Sequence, residues 1–151
     1  RFGLFAGHTV ETVAEYVNCG IIHYVHLHVC EENAYICRMR KLTKKGCNII
    51  KAIRVKDAED IEEASLYKSD YLLLDAYSGV QAGGNGITFD WTLVKNIDKP
   101  FFLAGGISAG NARKAVEIAK PYAVDASSSM ETDGFKDFNK MKQFVDAVRS
   151  L

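Results

Sequence analysis

An α/β fold built on a parallel sheet is predicted by three observations. Short apolar runs alternate with amphipathic stretches six times along 151 residues. The connections between them are short. In the stretch from Leu72 to Trp91, LLLDAYSGVQAGGNGITFDW, an apolar run ends on a lone carboxylate, Asp75, and a glycine-rich loop follows. Strand-then-helix units of this kind join by right-handed crossovers. Two closures remain open: a doubly wound open sheet is complete with six units, whereas a TIM-type barrel needs eight and usually runs to ~250 residues. The chain starts at Arg1 without an initiator methionine, and its first residues already read as the inside of a strand. Six units that begin in mid-strand fit a TIM-type (β/α)8 barrel lacking its first two units. The expectation is therefore one domain over residues 1–151, an N-terminally truncated partial barrel holding strands 3 to 8.

Phe2 to Ala6 reads as the first strand. Thr9 is placed to cap a helix whose face is marked by Val10, Val13 and Val17 and which stops near Gly20. Ile21 to His28 is the second strand. Glu31 to Lys45 carries acidic residues first and basic ones last, with Tyr35, Met39 and Leu42 on one stripe and Gly46 as the stop, which predicts a helix. Asn48 to Val55 is an isoleucine-rich strand, and Asp57 caps a helix carrying Ile61, Ala64 and Leu66 up to Tyr67. Tyr71 to Leu74 is short enough to be strand or helix by periodicity, and the glycines behind it decide for strand. Such a strand is buried on both faces and presents Asp75 at its carboxyl end, where parallel sheets keep their active sites. In the loop from Ser78 to Thr88, Gly79, Gly83, Gly84 and Gly86 permit close approach of backbone to a ligand. Phe89 to Asn96 is expected to form a short helix. Phe101 to Ala104 is the next strand, with Gly105 and Gly106 opening a turn into a helix from about Ser108 to Ala119. Tyr122 to Ala126 is the last strand, and Ser127, Ser128 and Ser129 make a polar turn. Phe138, Met141, Phe144, Val145 and Val148 give the final helix its apolar face.

Composition narrows the function. The chain is 48% hydrophobic, and nineteen basic residues balance nineteen acidic ones without forming a stripe, so a nucleic-acid partner is not expected. No apolar run reaches the ~20 residues that cross a bilayer, and no signal-peptide pattern opens the chain, so no membrane partner and a cytoplasmic location are expected. The spacings of Cys19, Cys30, Cys37 and Cys47 match neither a zinc knuckle nor a redox pair, which predicts reduced, mostly buried thiols.

Asp75 is the candidate catalytic carboxylate. Counted back from the carboxyl terminus, Gly105-Gly106 and Ser127-Ser128 follow strands 7 and 8, whose loops bind phosphate through backbone N–H groups in barrels. Asp125, just before that serine turn, is placed to orient a substrate hydroxyl or the phosphate loop. His26 and His28 lie two apart on a strand and share a face, with His23 on the other. No third ligand lies at close spacing, so they are read as substrate contacts and no metal site is expected. Lys51 and Arg54 cannot both face inward, and one of them is available to neutralise an interior carboxylate.

LLLDA, GGNGITFDW, LAGGIS with Asn111, and VDASS together resemble the phosphoribosylanthranilate isomerase family. FGLFAG, YVHLH and IIKAIRV also look like that family's third, fourth and fifth strands, so the resemblance covers nearly the whole chain. It implies a TIM barrel and an Amadori rearrangement in tryptophan biosynthesis: N-(5-phosphoribosyl)anthranilate opens its ribose ring and becomes 1-(o-carboxyphenylamino)-1-deoxyribulose 5-phosphate, without a cofactor. It also implies Asp75 as general acid on the ring oxygen, a first-strand cysteine as base, and a phosphate site on Gly105, Gly106, Ser127 and Ser128. The departures are specific. The strand with the cysteine base and the segment with the arginine expected to hold the anthranilate carboxylate are absent from this sequence, so the chain alone is expected to have little activity. His26 stands where the family usually has Gln before Leu-His-Gly, and Val29 replaces that glycine. Ala109 replaces the proline of the strand 7 loop, and Ser129 the glycine after the two serines, changes expected to loosen the phosphate site. Cys30 is not promoted to substitute base. The competing expectation is a non-catalytic phosphate-binding partial barrel that pairs with another chain or with itself through its open edges. Another phosphate-handling barrel enzyme would share the last two loops but leave GGNGITFDW behind Asp75 unexplained.

Overall fold

A computed structural model describes residues 1–28, 31–44, 46–76 and 88–150. Six strands form one sheet: β1 (Phe2–Phe5), β2 (Tyr24–Leu27), β3 (Asn48–Val55), β4 (Tyr71–Ala76), β5 (Phe101–Leu103) and β6 (Ala123–Val124). All neighbours are parallel and follow one another in chain order. A doubly wound sheet reverses its order at a switch point, so this unidirectional order selects the barrel-type closure. The helices are α1 (Val10–Asn18), α2 (Asn33–Leu42), α3 (Ala58–Ala64), α4 (Ala112–Ala119) and α5 (Phe138–Arg149).

Strand alternation sorts the side chains onto two faces. On the helix-covered face, Val25, Leu27 and Ile49 pack with Val13, Val17, Ile36 and Met39 of α1 and α2. Val55, Leu72, Leu74 and Leu103 pack with Ile61, Ala64, Ala112 and Ala115 of α3 and α4, joined by Phe144 and Val148 of α5. The other face, concave in a barrel, carries Ile50, Leu73 and Ala104 among Tyr24, Ala52, Tyr71 and Phe102. At its amino-terminal end an aromatic row runs from Phe2 through Tyr24, Tyr71 and Phe102 to Tyr122, with ring centroids 4.5 to 6.1 Å apart between successive members.

Lys51 alternates with Ile49 and Val55 and so points to the helix-covered face, whereas Arg54 points inward. The buried Lys51 ammonium lies 3.5 Å from the carboxylate of Glu31. Glu31 also accepts from the backbone of Gly7, so the pair ties together the loops after β1 and β2 and the middle of β3. This explains why α2 starts at Asn33 rather than at Glu31: the carboxylate that would favour the helix's first turn is drawn into the core.

Other boundaries move for local reasons. β2 begins at Tyr24, three residues later than expected. α3 ends at Ala64 because Ser65, Leu66 and Tyr67 turn back onto carbonyls three residues earlier, the tighter 3₁₀ pattern of a closing helix. The expected helix from Phe89 to Asn96 is only a 3₁₀ turn, Trp91–Leu93, capped by Asp90; one short turn does not recover the cost of helix nucleation. The unit after β4 thus lacks an α-helix among the described residues. β6 is two residues long rather than five. Cys19 is exposed and Cys37 and Cys47 are half-buried and free, against the expectation of buried thiols. A hairpin not foreseen, β7 (Glu131–Thr132) with β8 (Phe135–Lys136), precedes α5. No described helix is long and apolar enough to cross a membrane.

Removing one member of a buried ion pair leaves the other uncompensated, at about 3–5 kcal/mol. Lys51→Met should cost that much in urea denaturation, and adding Glu31→Gln to it should recover most of the loss.

Candidate active site

Asp75 lies on β4 with the inward parity of Tyr71 and Leu73, and its neighbour in register on β3 is Arg54. Burial pushes its carboxyl above the usual carboxylate range; the charges of His28 and Arg54 and a hydrogen bond to the Ala76 backbone pull the other way, and Asp125 adds to the rise. These five residues therefore share one end of the sheet, its carboxyl end.

Gly105 completes that end from β5. Its φ is +79°, and a Cβ there would fall 2.3 Å from Ala76 N and 2.8 Å from Asp75 Oδ1. Only glycine lets the loop after β5 lie against Asp75. The loop is braced from within: Asn111 Nδ2 donates to the Gly106 carbonyl at 2.9 Å, and its Oδ1 accepts from Ser108 N at 2.8 Å. This use of Asn111 delays α4 to Ala112, four residues after the expected start.

The loop after β6 meets the loop after β5. Ser127 is followed by a 3₁₀ turn, Ser128–Met130, and the Ser129 hydroxyl donates to the Ile107 carbonyl. This bond joins the loop that carries Ser127 and Ser128 to the loop that carries Gly105 and Gly106. Asp125 sits just past β6 and is exposed, with its backbone N–H on the Leu103 carbonyl at 2.8 Å.

His26 and His28 share the inward face, as their spacing predicts, with ring centroids 4.6 Å apart. They differ in environment. His28 is half-buried near Asp75, whereas His26 is buried and its Nε2 has no hydrogen-bond partner among the described residues. Burial, the neighbouring His28 and then Lys51 push the His26 pKa down to about 4, so the ring is neutral at physiological pH.

Gly79, Gly83, Gly84, Gly86 and Cys30 lie outside the described residues. Of Lys51 and Arg54, one of which was expected to neutralise an interior carboxylate, it is Arg54 that lies in register beside Asp75. One site feature was missed in the sequence. The β7–β8 hairpin was signalled by Asp133-Gly134, the residue pair that favours a two-residue turn, and both have positive φ.

A profile of the family described as N-(5'phosphoribosyl)anthranilate (PRA) isomerase matches residues 2–147. The N-(5'-phosphoribosyl)anthranilate isomerase of Endomicrobium trichonymphae is 41% identical over 149 residues, covering 99% of this chain and 72% of that protein. The crystal structure of phosphoribosyl anthranilate isomerase from Thermotoga maritima superposes with a TM-score of 0.86 at 30% identity, covering 100% of this chain and 73% of that one. A crystal structure of a phosphoribosyl anthranilate isomerase in complex with reduced 1-(o-carboxyphenylamino)-1-deoxyribulose 5-phosphate gives a TM-score of 0.78 at 29% identity, covering 100% and 72%.

Gly105→Ala should destabilise the chain by at least about 2 kcal/mol in chemical denaturation, from the left-handed backbone and the clash together. The pH dependence has two parts of opposite sign. A carboxyl raised by folding contributes stability that is full below pH 3.8 and is lost as pH rises through its folded value. Asp75→Asn should therefore raise the melting temperature at neutral pH, with the gain fading below pH 3.8. His26, lowered by folding, contributes stability that is full above pH 6.5 and is lost as pH falls towards 4. His26→Gln should flatten the stability profile over that interval.

Proposed function

The chain belongs to the N-(5'-phosphoribosyl)anthranilate isomerase family, the isomerases of tryptophan biosynthesis, and from that premise we propose how its own residues take part in the reaction. The substrate is a phosphorylated sugar carrying an aromatic amine. In the first step the ring C1–O bond breaks: the nitrogen lone pair forms a C1=N bond, and the ring oxygen takes a proton. Asp75 is the donor. A general acid works best when its pKa is brought towards the operating pH, and burial at the end of β4 moves this carboxyl in that direction. In the second step a general base takes the proton from C2 and the C1=N π electrons return to nitrogen; the resulting enolamine then takes a proton at C1 and gives up its C2 hydroxyl proton to become the aminoketose, so no atoms are gained or lost overall and no redox cofactor is needed.

Gly105, Gly106, Ser127 and Ser128 hold the phosphate through the cradle closed by the Ser129 bond to Ile107. A dianion anchored there fixes the reacting carbons relative to Asp75. His28 and the unpartnered Nε2 of His26 offer hydrogen bonds to the substrate from the inward face, and Asp125 one to a sugar hydroxyl. The observation that carries this reading is the carboxyl of Asp75, held in a partly buried position that depends on glycine at 105. A soluble cytoplasmic role fits a reaction of this kind.

A second reading is favoured by one observation. β1 and β6 are the outer strands of the sheet, and on its inward face Phe2, Leu4 and Tyr122 are 60 to 66% exposed. A six-stranded arc of this kind, one domain over residues 1–151, would bind phosphate without turnover and pair through its edges with another copy.

The loss of anthranilate-type fluorescence on adding substrate tests the first reading. Asp75→Asn should slow it by about 10²–10⁴, the usual worth of a general acid, and full activity in that variant would remove Asp75 from the role. Phosphate binding without turnover, together with a dimer in size-exclusion chromatography, would favour the second.

A further inference from the structure

One charged group beside the phosphate cradle has no part in the reaction as described so far. Lys136 closes the β7–β8 hairpin, and its ammonium lies 3.0 Å from the Ser127 carbonyl oxygen, 3.1 Å from Ser127 Oγ and 2.5 Å from Glu131 Oε1. We propose that Lys136 is a positioning residue for the phosphate of the substrate, acting through Ser127; this rests on reading Ser127 as a phosphate ligand.

The hydrogen-bond inventory carries the argument. A lysine ammonium has three donors and no acceptor, and here each of the three has an oxygen to meet. Lys136 therefore has no hydrogen left for a ligand, and its influence passes through the groups it holds. Because Ser127 Oγ accepts from Lys136, its own hydroxyl hydrogen points elsewhere and is free to donate to an anion. The Ser127 carbonyl is doubly engaged, since it also accepts from Met130 N at 3.0 Å, the bond that closes the 3₁₀ turn behind it. Backbone and hydroxyl of Ser127 are thus held by a single side chain. The ion pair with Glu131 offsets most of the ammonium's charge, so the effect is one of orientation more than of field.

The hairpin that delivers Lys136 is itself fixed. Its two-residue turn uses Asp133 and Gly134, both with positive φ. At its base Asp137 N donates to the Met130 carbonyl at 2.8 Å, and Thr132 Oγ1 donates to Asp137 Oδ2 at 2.9 Å. Asp137 also caps α5. Lysine at 136 is therefore aimed at Ser127 by short-range bonds that do not depend on a ligand.

The test is binding of inorganic phosphate to the full chain by isothermal titration calorimetry. Lys136→Met should weaken binding about fivefold, the worth of one hydrogen bond, and Lys136→Arg, which can reach the same two oxygens, should restore it to within about twofold. In a Ser127→Ala background, Lys136→Met should weaken binding less than it does in the wild type, because coupled residues are not additive. All variants should melt with the wild type, since the lysine side chain is half-exposed. Wild-type binding by Lys136→Met, a failure of Lys136→Arg to restore it, or full additivity with Ser127→Ala would each overturn the proposal. Absence of phosphate binding by the wild-type chain would instead overturn the phosphate reading of Ser127, and this inference with it.

Discussion

A side chain at position 105 would collide with Ala76 N and Asp75 Oδ1, so the meeting of the β5 loop with the end of β4 depends on the absence of one carbon. Much of the site follows from that approach. It partly buries the Asp75 carboxyl, which raises its pKa, and it brings the Gly105-Gly106 turn beside that carboxyl. Asn111 then braces the turn from inside the same loop. The Ser129 hydroxyl carries the arrangement across to the next strand. A local backbone conformation that L side chains rarely adopt thus links the end of β4 to the loops after β5 and β6.

The sheet separates two kinds of interior. On the helix-covered face, Lys51 and Glu31 are buried and paired with each other, a structural use of charge. On the inward face the polar groups are left less satisfied. His26 Nε2 has no described partner, and Asp75 stays above the ordinary carboxylate range despite the charge of nearby Arg54. Both shifts are dominated by burial and both favour the neutral form. The inward face therefore gives up stability in opposite pH ranges, as expected where groups are held for a ligand rather than for one another.

Strand positions were legible because their signals are dense and local. Asn48–Val55 was read to the residue, and β4 was recognised from an apolar run with glycines behind it. The starts of α2 and α4 were less legible, since each was decided by a competing bond. Glu31 left its helix for Lys51, and Asn111 was taken by the loop before α4. The β7–β8 hairpin was missed although Asp133-Gly134 announces it, because its strands are two residues long and carry no period to read.

From the sequence alone came the order of the six sheet strands and the five α-helices, the two faces of each strand, and the family resemblance carried by LLLDA, GGNGITFDW, LAGGIS and VDASS. These depend on neighbours within a few positions of one another, where alternation and turn chemistry act. Tertiary structure decided what depends on contacts across the sheet. It chose between the two closures, since strand order is a property of pairing and not of any one strand. It put Lys51 on the helix side and Arg54 beside Asp75, joined Ser129 to Ile107, and brought Lys136 to Ser127. In each case the partner is a loop or strand whose distance in space is set by parallel register, and hydrogen bonds and ion pairs at 3 Å are decided by that distance.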